Sequence, residues 1–277
     1  MRKSLISVFA IVIFITTAAF SAELANTQWN QSNIATLRAF DKSSVERFVN
    51  DLRGNDPMHA TVGAFGWYDL AGDGHYRLLA TEDLSGRAYF DYLAIYEQGS
   101  SGNAVLQQWI EGYGFGTDLS KVVYDLAGDG KDELIVPMPL AASGSVWLPV
   151  GATPTWPAVY RLENGKYAEA SRDFPNFYDK EVLPELDKAI AAAQSRGHQD
   201  ALALDVLEKN KILRVLGRDP AAGLQQAYHW MNSDDPQELQ CAIATFADIG
   251  GHEDELQTAS AALKPAIQRE RSARNGG

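Results

Sequence analysis

Cysteine is all but missing from this 277-residue chain. Cys241 stands alone, so no internal disulfide can form. Its apolar, helix-patterned surroundings read as those of a small core residue rather than a reactive thiol. With no cysteine near the N-terminus, lipid attachment there is excluded. Basic charge is also short: 24 Lys and Arg stand against 36 Asp and Glu, a formal charge of −12. Such a chain repels phosphate backbones, so nucleic acid is not an expected partner. Cations or basic protein surfaces are. The five histidines, His59, His75, His198, His229 and His252, show no metal-ligand spacing and no His-Glu-x-x-His. No Gly-x-Ser-x-Gly elbow is present, and the residues around Ser145 lack its spacing. Gly72-Asp73-Gly74 and Gly128-Asp129-Gly130 carry acid where a phosphate-cradling loop carries none. A carboxylate pair for glycoside hydrolysis is set in space and cannot be read from the chain order.

Long apolar runs are missing after Phe20. The one that exists, Leu5 to Phe20, follows Arg2 and Lys3 and precedes the small-x-small triplet Ala19-Phe20-Ser21, with a cut after Ala22 as second choice. Residues 1–22 therefore read as a secretory signal peptide, against a retained membrane anchor whose stop-transfer flanks are absent. The expectation is a periplasmic or secreted protein that is not membrane-embedded after cleavage.

Four regions follow. Residues 23–58 hold one good helix signal, "SSVERFVNDLRG": Ser43 and Glu46 suggest a capping box, Val45, Phe48, Val49 and Leu52 form a stripe, and Gly54 is the stop. Residues 59–172 alternate aromatic and β-branched runs with Gly, Asp and Asn turns, which predicts strands. Asn164-Gly165 in "LENGKY" predicts a type I′ hairpin. Residues 173–270 have helical periodicity, with Asp219-Pro220 and Asp235-Pro236 as matching N-caps and Gly250-Gly251 as a stop. Residues 271–277 read as a disordered tail.

One stretch is present twice. Tyr68–Gly74 and Tyr124–Gly130 share the sequence YDLAGDG, and a strand-like run follows each copy. Counting from the first Asp, side chains at positions 1, 3, 5 and 9 and the carbonyl at position 7 would converge on a cation, and calcium takes such oxygen sets. The second copy offers Asp125, Asp129 and Glu133 with the Lys131 carbonyl, but Ala127 at position 3. The first retains Asp69 and Asp73, with Ala71 at position 3 and Arg77 at position 9, where it would neutralise the acids itself. Two readings stand for the second loop: weak calcium binding, or Asp side chains that bond their own turn amides. The first loop is expected to do the latter.

Asp-x-x-Gly-Asp-Gly-x-x-Glu-Leu-Ile-Val, Asp125 to Val136, resembles the FG-GAP or VCBS-type repeat of integrin-α-like β-propellers. Phe65-Gly66 and Phe115-Gly116 correspond to its upstream Phe-Gly, at unequal distances from their loops. The spacing between copies is close to one blade. The resemblance implies blade-like antiparallel sheets and calcium in the loops. Two blades do not close a propeller. The expected fold is therefore α+β: two antiparallel blade-like sheets, an incomplete propeller, followed by a C-terminal helical region. The helices weakly resemble HEAT-type repeats, with a plain bundle as the alternative.

"GSVWLPVGATPTWP" supplies the other candidate surface. Trp147 and Trp156 would present aromatic area to a protein or sugar, or would pack in the core. The combined expectation is an exported, non-catalytic binding protein, of the inhibitor or immunity type, with a protein partner. The alternatives are a secreted hydrolase of cell-wall or sugar polymers, and a structural envelope component.

Overall fold

The computed structural model describes residues 23–54, 59–86, 90–116, 118–140, 155–196 and 199–275. Residues 1–22, read from the sequence as a signal peptide, and Trp147 lie outside them. Two four-stranded antiparallel sheets and a C-terminal helical region make an α+β protein. The chain divides into two compact units, Met1–Val136 with Val159–Glu169 and Pro137–Ala158 with Ala170–Gly277.

The first sheet is a meander of β1 (Thr61–Tyr68), β2 (Arg77–Asp83), β3 (Tyr92–Gln98) and β4 (Ala104–Glu111), in that order. Strands joined by short turns pair with their chain neighbours, and the register follows from alternation. Leu78, Ala80 and Glu82 pair with Tyr96, Ala94 and Tyr92 on one face, whereas Leu79 pairs with Ile95 on the other. Every residue of β2 is buried, so this strand is covered on both faces. A helix, α1 (Lys42–Arg53), sets Val45, Phe48 and Val49 against Leu78, Ala80, Ala94 and Tyr96, together with Leu24, Trp29 and Leu37 of the N-terminal segment. Trp29 meets Trp67 edge-on at 4.7 Å and Phe48 at 6.1 Å. Full burial of side chains of this size is worth roughly 1.5–3 kcal/mol each, which is why the stripe on α1 docks there. Leu52, at the edge of the stripe, stays 38% exposed.

The expected capping box at Ser43 and Glu46 is not what starts α1. Asp41 is the N-cap, its Oδ1 accepting the Ser44 N–H at 2.7 Å. A charged acceptor is a stronger cap than a hydroxyl, and Glu46 is drawn away to accept the Val62 N–H at 3.0 Å, tying α1 to β1.

The second sheet has the order β5 (Val123–Tyr124), β6 (Glu133–Pro139), β7 (Thr155–Glu163), β8 (Lys166–Glu169). Asn164 and Gly165 have φ of 51° and 79°, the positive pair that a type I′ hairpin requires between β7 and β8. Within the first unit, the Gln108 amide mimics a strand partner: its Nε2 donates to the Tyr167 carbonyl and its Oε1 accepts the Tyr167 N–H, both at 2.8 Å.

The helical region comprises α2 (Leu183–Arg196), α3 (Gln199–Val215), α4 (Ala221–Trp230), α5 (Pro236–Ile249) and α6 (Glu253–Asn275), preceded by one π-helical turn at Tyr178–Val182. Neighbours in the chain pack together, and α3 also packs on α5. Asp235 caps α5 through the Gln237 N–H with Pro236 in the first turn, as its sequence predicts. The parallel expectation for Asp219 fails: α4 starts after Pro220, whose position carries no side-chain cap. The last helix runs to Asn275, so residues 271–275 are helical rather than part of a tail. Among the described residues no helix is long and apolar enough to cross a membrane.

Candidate functional site: two acidic loops in contact

The first loop joins β1 to β2 and the second joins β5 to β6, so they belong to separate sheets, yet they touch. The Asp132 N–H donates to the Leu70 carbonyl at 3.1 Å. A Cβ placed on Gly72 would stand 2.6 Å from the Gly130 carbonyl oxygen, so only glycine permits that approach. Asp132 sits between the loops. Burial, and then the charges of Asp125 and Asp69, push its carboxyl above the usual range.

Inside each loop the carboxylates serve the turn. Asp69 accepts the N–H groups of Asp73 and Gly74 at 3.0 and 2.9 Å, and Asp73 accepts that of His75 at 2.9 Å. Asp125 accepts from Gly128, Asp129 and Gly130 at 2.7, 3.1 and 3.1 Å, and Asp129 from Lys131 at 3.0 Å. Identical sequence thus gives nearly identical wiring, with Asp doing what it does in any Asx-type turn.

The ninth positions differ, and the chemistry follows them. Arg77, only 7% exposed, reaches Asp73 at 3.4 Å, Glu97 at 3.3 Å and the His75 carbonyl at 3.2 Å. Burial opposes the charge on Asp73, but the His75 N–H and the Arg77 guanidinium outweigh it and hold the carboxyl below its usual range. This is the internal neutralisation expected of the first loop. Glu133, in the equivalent place, is 1% exposed and accepts the Leu126 and Ala127 N–H groups at 2.8 and 3.3 Å. Burial dominates there and raises its pKa.

Those amide bonds bear on calcium. Asp125 accepts N–H groups through both carboxylate oxygens, Asp129 through Oδ1 and Glu133 through Oε2. Among the described residues no group of three His, Cys, Asp or Glu is placed to hold a metal ion.

Beside the first loop lies a polar pocket of about 410 Å³, walled by Trp29, Asn30, His75, Tyr76, Glu97 and Ser100. Gln98 fixes its wall, accepting the Trp29 N–H at 2.9 Å and donating to the carbonyls of Thr27 and Gly102. Trp156, the described half of the aromatic candidate, lies in β7 at 6% exposure with the Lys211 ammonium 5.5 Å above its ring. That burial suits the packing alternative weighed for it.

Sequence reasoning missed one polar cluster. Glu82, fully buried, takes the Arg53 guanidinium at 2.8 Å, the Tyr96 hydroxyl at 2.6 Å and the Trp109 indole N–H at 3.3 Å. Arg53 in turn stacks over Trp109 at 4.6 Å. Burial outweighs these partners and raises the Glu82 pKa. The four residues come from α1, β2, β3 and β4, so no local motif announces them. The available signal was Glu82 at the polar end of the strand-like run RLLATED, beside Asp83.

Compared with protein-family models, curated proteins and solved structures, the chain shows no match.

Proposed function

We propose that the chain is an exported, non-catalytic binding module, presenting its acidic Asp-Gly loops to a protein with a basic surface. The single observation that supports this reading is the side-by-side packing of the two loops through Asp132 and Gly72. It concentrates Asp69, Asp73, Asp125, Asp129 and Asp132 on one part of the first unit, and the first four of these also serve as turn caps. On this reading the loops are degenerate FG-GAP/VCBS-type elements and the two sheets are blade-like. Residues 1–22 direct the chain to the periplasm or beyond, and an inhibitor or immunity-type role is its most concrete form. Calcium enters as a weak stabiliser of the second loop through Asp125, Asp129, Glu133 and the Lys131 carbonyl.

The test uses the chain without residues 1–22, immobilised and exposed to periplasmic and secreted proteins. A stoichiometric partner that elutes with salt and is displaced by polylysine is the expected result. Turnover of cell-wall or sugar polymers, abolished by Glu97→Gln in the polar pocket, would overturn it in favour of the hydrolase. For calcium, the expected result is a higher melting temperature in millimolar calcium than in EDTA, lost in Asp129→Asn. Equal melting in both removes calcium from the proposal.

A further inference from the structure

The two loops are equal in sequence but not in surroundings. In each, the eighth residue donates its N–H to a segment earlier in the chain: Tyr76 to the Trp29 carbonyl at 2.9 Å, and Asp132 to the Leu70 carbonyl at 3.1 Å. Trp29–Asn30, the first loop and the second loop thus form a series in which each member covers the one before. Asn30 and His75 add a β-bridge at the first junction.

The series stops at the second loop, and its outer face shows what the next member would cover. Leu70 is fully buried, whereas its counterpart Leu126 is partly exposed. Tyr68 is half-buried, whereas Tyr124 is 38% exposed. Gly72 meets the Gly130 carbonyl, whereas Gly128 has nothing within 4 Å of its would-be Cβ. The Leu70 carbonyl accepts an N–H from Asp132; among the described residues none donates to the carbonyl of Leu126. Terminal units of a stacked array carry a capping surface or leave their inner face available. Here no described residue donates to it, and the face is left available among the described residues.

We infer that this outer face of the second loop, Tyr124, Leu126 and Ala127 with the Leu126 carbonyl, is the docking site for an extended, basic segment of another protein. The segment extends the series by one member. It places a main-chain N–H on the Leu126 carbonyl, an apolar side chain on Tyr124 and Leu126, and Lys or Arg beside Asp125 and Asp129. Main-chain pairing to an open edge supplies affinity and the flanking pockets supply selection. Charge chooses the occupant: a second copy of this chain, at −12, is repelled, whereas a basic segment is attracted. The inference rests on the binding-module reading and names its surface.

The probe is a short peptide of alternating lysine and valine, titrated into ¹⁵N-labelled chain lacking residues 1–22. The expected result is saturable amide shifts at Leu126, Ala127 and Gly128, with residues 69–74 unmoved. Ala127→Arg, an exposed position, and N-methylation of the peptide backbone should each weaken binding tenfold or more. Equal shifts on both loops would reduce the effect to unspecific charge and overturn the site, as would undiminished binding of the N-methylated peptide. Self-association lost in Tyr124→Ser would assign the face to a second copy and overturn the basic segment. If the partner captured in the preceding experiment is retained by Ala127→Arg, this site falls while the binding-module reading stands.

Discussion

Gly72 and Gly128 occupy the same place in two identical heptads, with φ of +64° and +71°. Alanine at either position must adopt a left-handed backbone, at a cost of about 1–2 kcal/mol. At Gly128 that is the whole penalty, because its Cβ would meet nothing within 4 Å. At Gly72 the methyl would also stand 2.6 Å from a backbone oxygen of the other loop. That atom cannot swing aside as a side chain would, so the loops must part, which adds about 1–3 kcal/mol of overpacking strain. Gly128→Ala should therefore destabilise by about 1–2 kcal/mol and Gly72→Ala by about 2–5 kcal/mol in urea unfolding. Amide exchange gives an independent readout. The Asp132 N–H, bonded to Leu70, should exchange faster in Gly72→Ala and be unchanged in Gly128→Ala. Equal destabilisation, within about 0.5 kcal/mol, would refute the loop contact and with it the asymmetry between the loops.

Glu208 is half-buried, has no hydrogen-bond or ion-pair partner among the described residues, and its pKa is raised to about 7 from 4.5 by burial and then by Asp205. The folded state therefore holds a proton that the unfolded state has lost, and this stability is complete below 4.5 and gone once pH rises through 7. Glu208→Gln should accordingly stabilise the protein by about 1–3 kcal/mol at pH 8 and by almost nothing at pH 4.5, which melting curves at the two pH values would show. Arg53→Met leaves Glu82 buried without its cation, so it should cost about 3–5 kcal/mol at pH 7. The cost should shrink as pH falls and Glu82 takes up a proton, and adding Glu82→Gln should restore most of it in denaturant titrations. Gly223→Ala would put a methyl 1.8 Å from the Asn210 amide, itself 4% exposed; it should cost about 1–3 kcal/mol, largely recovered by Asn210→Ala in the same melts.

What the chain order revealed was whatever a short window contains. The loops were legible because a repeat can be seen without knowing the fold, and Asp, Gly and Arg at fixed offsets define the turn wiring. The Asn164-Gly165 hairpin and the Asp235-Pro236 start of α5 were legible for the same reason. Two caps were misplaced where a neighbour competed. Asp41 outbids Ser43 as acceptor for the start of α1, and Glu46 finds a better use at Val62. Asp219 drops out because α4 begins after Pro220. The Glu82 cluster was illegible because its members meet only after a helix and three strands have assembled.

The contact between the loops belongs to a third kind, hidden although both partners were in view. A sequence repeat states that two segments have one conformation; it does not state which faces the other. That order comes from the strands between them, and it makes chemically identical residues inequivalent. Leu70 becomes core and Leu126 surface, although each is flanked by the same Asp and Ala. The carbonyl of one is spent on Asp132 while the other is left without a donor among the described residues. A buried carbonyl left unpaired costs about 1–3 kcal/mol, which is why the covered loop must be met by an N–H; the outer loop escapes that cost because its face is reached by water. A partner that excludes that water must therefore bring its own N–H to Leu126, so a binder offering positive charge alone should be markedly weaker than one offering charge and an extended backbone together.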